Sequence, residues 1–153
     1  MDQLFTITHK NRKILYRFLS NLSDTELFTI PKGFNNNIWW NIAHVVVTQQ
    51  KLVYGLSNLP LTISQELVEK YQKGTAPQED PNETEVEEIK KLLFELPDQT
   101  IKDYENGVFK SFKTYMTSPK VELKSVEDAI AFNVFHEGLH LGSIMALART
   151  VKV

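Results

Sequence analysis

The chain has 153 residues, 42% apolar and 24% charged, with a formal net charge of −2. That length suits one domain with a sizeable core, and basic residues scattered among acids argue against a nucleic-acid-binding surface. The absence of cysteine excludes disulfides, thiolate metal sites and a cysteine nucleophile.

The N-terminal stretch carries Asp2, His9, Lys10, Arg12 and Lys13, which leaves no room for the apolar core of a signal peptide. No apolar run approaches the ~18 residues of a membrane span. The expectation is one domain over 1–153, soluble and cytoplasmic, without a nucleic-acid or membrane partner.

The first predicted helix covers about Asp2 to Leu22, with Leu4, Ile7, Ile14, Phe18 and Leu22 along one stripe. His9, beside Lys10 and Arg12, reads as exposed. The second runs from about Asn36 to Ser57, after "IPKGFNNN" and up to "SNLP". One side of it carries Asn37, Asn41, His44, Thr48 and Lys51 with Trp40 and Val47, and the other carries Ile38, Ile42, Val46 and Val53. Periodicity alone makes the polar line a solvated face with His44 on it. The flanking Trp40 and Val47, on so apolar a helix, instead argue for a central position in a bundle.

A short helix near Ser64 to Tyr71 and a polar linker, "KGTAPQEDPNET", come next. The third long helix starts at Asn82, with Glu85 completing a capping box, and continues through Val86, Ile89, Leu93 and Leu96. Pro97 is predicted to kink or break it, with helix resuming through Thr100, Ile101 and Tyr104. The segment from Phe109 to Leu123 reads as extended, with a possible hairpin. The fourth helix runs from about Val126 to Thr150, opened by Ser125 with Asp128 as its box partner. Four such helices in a small domain predict an all-α four-helix bundle with long connections.

The chemistry is concentrated in "FHEGLH", Phe135 to His140. His136 and His140 differ by about 40° around the helix axis, so both imidazoles can reach one metal ion. Their face also carries Ala129, Phe132, Asn133, Ser143, Ile144 and Leu147, and burying unpaired histidines there would cost free energy. H-E-x-x-H is also the helical signature of zinc proteases, with the glutamate as general base. Against that reading, residues 141–153 contain no His, Asp or Glu to serve as a third ligand. A third ligand must then come from another helix, and His44 is the candidate.

Two segments resemble a known family. "NNIWWNIAHVVVTQQKLVYGLSNLP" is similar to the second helix, and "AIAFNVFHEGLHLGSIMALART" to the last helix, of the DinB-like (YfiT-type) metal-dependent proteins. The lone histidine and the H-x-x-x-H pair stand in the family's order, and the resemblance covers nearly the whole chain. It implies that His44, His136 and His140 hold one divalent metal, in a cleft toward one end of a four-helix bundle, commonly within a homodimer. Zinc is the expected metal, with nickel or another transition metal as the alternative. Glu137 falls where the family pattern is free, so it need not be a base, and its offset of about 100° around the helix from His136 is expected to make it flank the metal without binding it.

Relatives of this type are thiol-dependent transferases using bacillithiol or mycothiol, and a mycothiol-dependent maleylpyruvate isomerase. The implied function is activation of a small thiol for transfer to an electrophile, with Asn41, Thr48 and Asn133 as candidate substrate-binding groups. The rival readings are a non-catalytic, stress-related metal- or ligand-binding protein and, more remotely, a small zinc hydrolase. The back of the fourth helix, with Val134, Leu141, Met145 and Ala148 beside Gly138 and Gly142, is the expected homodimer face.

Overall fold

Helices begin where a short polar side chain can accept an otherwise unpaired backbone N–H. In the computed structural model, which describes residues 1–151, α1 (Asp2–Asn21) is followed by the short α2 (Asp24–Phe28). Ser23 and Glu26 cap α2 reciprocally. Asn37 caps α3 (Ile38–Gln50) by accepting the Trp40 N–H at 2.8 Å. A single π-helical turn, Lys51–Gly55, carries α3 on, so the second predicted helix ends close to where "SNLP" placed it.

Ser64 caps α4 (Gln65–Tyr71), and Asn82 caps α5 (Glu83–Glu105). The antiparallel strands β1 (Tyr115–Met116) and β2 (Glu122–Leu123) pair Tyr115 with Leu123 and precede α6 (Val126–Val151). The all-α expectation holds, as does the small hairpin before the last helix.

Two predicted capping boxes are only half formed. Asn82 accepts the Glu85 N–H at 2.9 Å, but the Glu85 carboxylate accepts from Tyr71 Oη and Lys70 Nζ instead of returning to the cap. Ser125 accepts the Asp128 N–H at 3.2 Å, while Asp128 reaches the Lys124 N–H.

Two expectations about the helices are corrected. The buried face of α1 is Phe5, Thr8, Arg12, Leu15 and Leu19, a rotation away from the predicted stripe that leaves Ile14 40% exposed. Its centre is a charged residue, so apolar spacing alone misplaces it. Pro97 does not break α5, which is one helix throughout. Ile89, Leu93, Leu96, Pro97 and Thr100 form one buried face against α1 and α3. That packing outweighs the roughly 3 kcal/mol cost of an interior proline.

α3 is the central element, packed against α6, α5, α4 and α2. Ile38, Ile42, Val45, Val46 and Val47 have no exposed surface, so the helix is enclosed on every side. α1 lies against α5 and α6. Leu123 of the hairpin packs with Leu52 and Ala129, which pins the hairpin over the π-helical turn and the N-terminal part of α6. No helix among the described residues is long and apolar enough to cross a membrane.

The expected dimer face also needs correcting. Leu141 and Ala148 belong to the main core. The large apolar residues that α6 exposes are Phe135, Leu139 and Met145, each at least half exposed. Space is open where a Cβ would stand at Gly138 and Gly142.

Candidate metal centre

The site forms where α3 packs along α6. Because α3 is enclosed, its one histidine is enclosed with it. His44 is 5% exposed, so the solvated-face reading fails. The Trp40 ring stacks on the His44 imidazole, with centroids 4.6 Å apart and planes at 11°. His136 and His140 reach in from α6, one turn apart. Their Nε2 atoms lie 3.1 Å from each other, and His136 Nε2 lies 3.3 Å from His44 Nε2. These three histidines form a group able to hold a metal ion. His9 stands apart, half-buried rather than exposed, and pairs with Asp98 at 3.4 Å.

The outward nitrogens of two of the three rings are fixed. His44 Nδ1 lies 2.7 Å from the Tyr71 carbonyl oxygen, which can only accept, so this nitrogen carries the proton. His140 Nδ1 lies 2.7 Å from Asn41 Oδ1. The Asn41 amide is oriented by its own Nδ2, which donates to Asn36 Oδ1 and to the Asn37 carbonyl. His140 Nδ1 therefore donates as well. Both histidines then turn an Nε2 lone pair inward, a tautomer choice typical of ligating histidines.

Burial favours the neutral form of all three rings. It lowers His44, lowers His140 to about 4, and lowers His136 to about 3 with help from His140, His44 and Arg12. Neutral imidazoles are what a cation requires, because ligands must shed their protons before binding.

The donor set fits a divalent transition metal. Two nitrogens bound ~2.0–2.1 Å from one ion at near-tetrahedral angles are roughly 3–3.4 Å apart, and the separations of His136 Nε2 from His140 Nε2 and from His44 Nε2 fall in that range. Three imidazoles with no carboxylate or thiolate suit zinc, nickel, cobalt or copper. Three protein ligands would leave a four-coordinate ion one position for a small molecule. The three histidines line a cavity of about 580 Å³. Its walls are mostly apolar, with Leu52, Leu56, Phe132, Phe135 and Leu139, and Tyr115, Thr117, Ser118 and Pro119 at the hairpin complete the lining.

The candidate substrate-binding groups occupy different places. Thr48 lines the cavity, with its Oγ1 3.2 Å from His44 Nε2. Asn41 is buried behind His140 as an orienting group and does not line the cavity. Asn133 is 3% exposed and donates from Nδ2 to Glu137 Oε1 at 2.9 Å, inside the core.

Glu137 does not flank the metal position. It has no exposed surface, and its Oε1 also accepts from Arg12 Nε at 3.0 Å and Nη2 at 2.7 Å. It does not reach the cavity wall, so the glutamate of "HEGLH" is placed to pair with Arg12 and not to act as a general base. The Arg12 partnership escaped the sequence reading. The available signal was a charged residue in register with Phe5, Leu15 and Leu19.

A family model described as the DinB superfamily matches residues 7–144, a span that includes all three clustered histidines. No curated protein matches the chain.

Proposed function

The chain belongs to the DinB superfamily, and on that premise we propose that it is a divalent-metal-dependent enzyme that activates a small thiol for transfer to an electrophile. The carrying observation is the convergence of three imidazole Nε2 atoms on the floor of an open, mainly apolar cavity. A divalent cation held there supplies charge that stabilises a thiolate near neutral pH. His44, His136 and His140 are its ligands, and zinc is the proposed ion on availability. The Tyr71 carbonyl and Asn41 hold two of the rings in the ligating tautomer.

Leu52, Phe132 and Leu139 limit water around the reacting atoms, and Thr48 offers a hydroxyl beside His44. In the transfer, the S–H bond breaks and its proton passes to solvent through the cavity mouth. A C–S bond forms as the electrophile's leaving group departs with its electron pair. The zinc-hydrolase reading has no comparable support, because Glu137 is buried against Arg12.

The same reading extends to assembly. Phe135, Leu139 and Met145 on α6, beside two open glycines, are the surface on which two copies pair about a two-fold axis. Light scattering of the wild type at micromolar concentration should give twice the monomer mass, and Leu139→Glu should halve it. A monomeric wild type would remove the dimer from the proposal.

Activity is tested by following loss of a low-molecular-weight thiol with monochlorobimane as electrophile, using zinc-loaded and metal-free protein. Conjugation that requires zinc and disappears in His136→Ala supports the enzyme. Tight zinc binding with no conjugation of any tested thiol would favour a non-catalytic binding protein.

A further inference from the structure

The cavity has a second chemical feature apart from the histidines. Among the described residues, the charged side chains on its wall are Lys51 and Lys73, and no aspartate or glutamate lines it. Neither ammonium is neutralised by a nearby acid. Lys51 Nζ donates to Gln72 Oε1 and Lys73 Nζ to Ser118 Oγ, each at 2.7 Å. Both acceptors are uncharged, so the hydrogen bonds hold the lysines in place without cancelling their charge. Gln72 and Lys73 are adjacent in the chain, which ties the two ammonium groups to the same short stretch after α4.

A cleft lined by one sign of charge, with apolar walls, concentrates ligands of the opposite sign. A bound divalent cation would add charge of the same sign. A cationic ligand would therefore be repelled by both lysines and by the bound ion, and a neutral one would gain no ionic attraction from the lysines. Lysine is a point charge on a flexible stem, and both residues are exposed, so each can exchange its neutral acceptor for an anionic one without new burial.

We propose that this cavity binds a small organic carboxylate, with its apolar body against Leu52 and Phe132 and its carboxylate held by Lys51 and Lys73. This names the substrate class for the transfer reaction and rests on that reading only where the ligand is called a substrate.

The test uses phenylbutyrate, phenylbutanol and phenylbutylamine as probes, titrated calorimetrically into metal-free and zinc-loaded protein. In metal-free wild type the carboxylate should bind about tenfold or more tightly than the alcohol, with the amine weakest. Raising the salt concentration should narrow the gap. The Lys51→Met, Lys73→Met double variant keeps apolar stems in place and should lose the preference while binding the alcohol as before. Equal affinity for acid and alcohol in the wild type would overturn the proposal, as would a preference that survives in the double variant. A preference seen only with zinc, and untouched by the lysine changes, would place the carboxylate on the metal and overturn the role of the lysines. Failure of the protein to take up zinc would instead defeat the metal reading and leave this one standing, because its first arm is run without metal.

Discussion

His136 and Glu137 are neighbours on α6, yet they serve two regions of opposite character. His136 turns toward α3 and joins His44 and His140 at the floor of an open cavity. Glu137 turns toward α1, where one oxygen accepts three donations from Arg12 and Asn133 in a region with no exposed surface at either charged partner. In that region Arg12, Asn133 and Glu137 are paired with one another, and their removal is felt as instability. At the cavity, two histidines are pinned at the outward nitrogen and turn their Nε2 atoms toward the shared floor of the site, so their removal is felt as lost binding. Helical periodicity sets the division: adjacent residues lie about 100° apart around the axis, enough to place one on each side.

The largest expected effect lies in the core. Glu137→Ala or Arg12→Ala strands a buried charge and should destabilise the fold by about 3–5 kcal/mol, read as a lower denaturant midpoint. Replacing both, as Arg12→Met with Glu137→Leu, should recover most of that loss. Glu137→Gln should also lower stability, because the guanidinium loses its counter-charge, but the metal content of the protein that remains folded should not change. Loss of metal in folded Glu137→Gln would dissolve the distinction between the two regions.

Much of this was open to a sequence reading, for local reasons. Asn82 and Ser125 mark helix starts because capping is settled within four residues. Two histidines four apart share a face whatever surrounds them, and His44 aligns with them through the family resemblance. What sequence reading missed depends on partners distant along the chain. Arg12 reads as a surface charge until Glu137, 125 residues later, is seen beside it. Asn41 and Asn133 read as site groups because they are polar and on the right faces, but each is taken up by a buried neighbour. Pro97 misled because the cost of a helix proline is local, whereas the packing that offsets it is tertiary.

The histidine region should respond strongly to pH when no metal is present. The folded-state pKa values lie below the ordinary 6.5, at about 4 for His140 and about 3 for His136, with His44 also lowered. The unfolded chain therefore takes up protons before the folded one does. Stability of the metal-free protein should be full above about pH 6.5 and fall progressively toward pH 4 and below. Urea denaturation across that range checks this, and zinc should oppose the loss while it stays bound. A profile that stays flat between pH 6.5 and 4 would mean that the rings are not held neutral by burial.

A smaller effect sharpens the role of the orienting groups. Asn41→Leu removes the acceptor for His140 Nδ1 and should weaken metal affinity by about 10–100-fold without abolishing it. Equilibrium dialysis against a competing chelator measures the difference. His9→Ala, which loses only a partly exposed pair with Asp98, should change metal affinity not at all and stability by less than about 1 kcal/mol.

The most direct test of the account is metal content, measured by elemental analysis after dialysis, in wild type and in the single variants His44→Ala, His136→Ala and His140→Ala. The wild type should retain one divalent ion per chain, and each variant should fold and retain almost none. Full occupancy in His44→Ala would contradict a site built between α3 and α6.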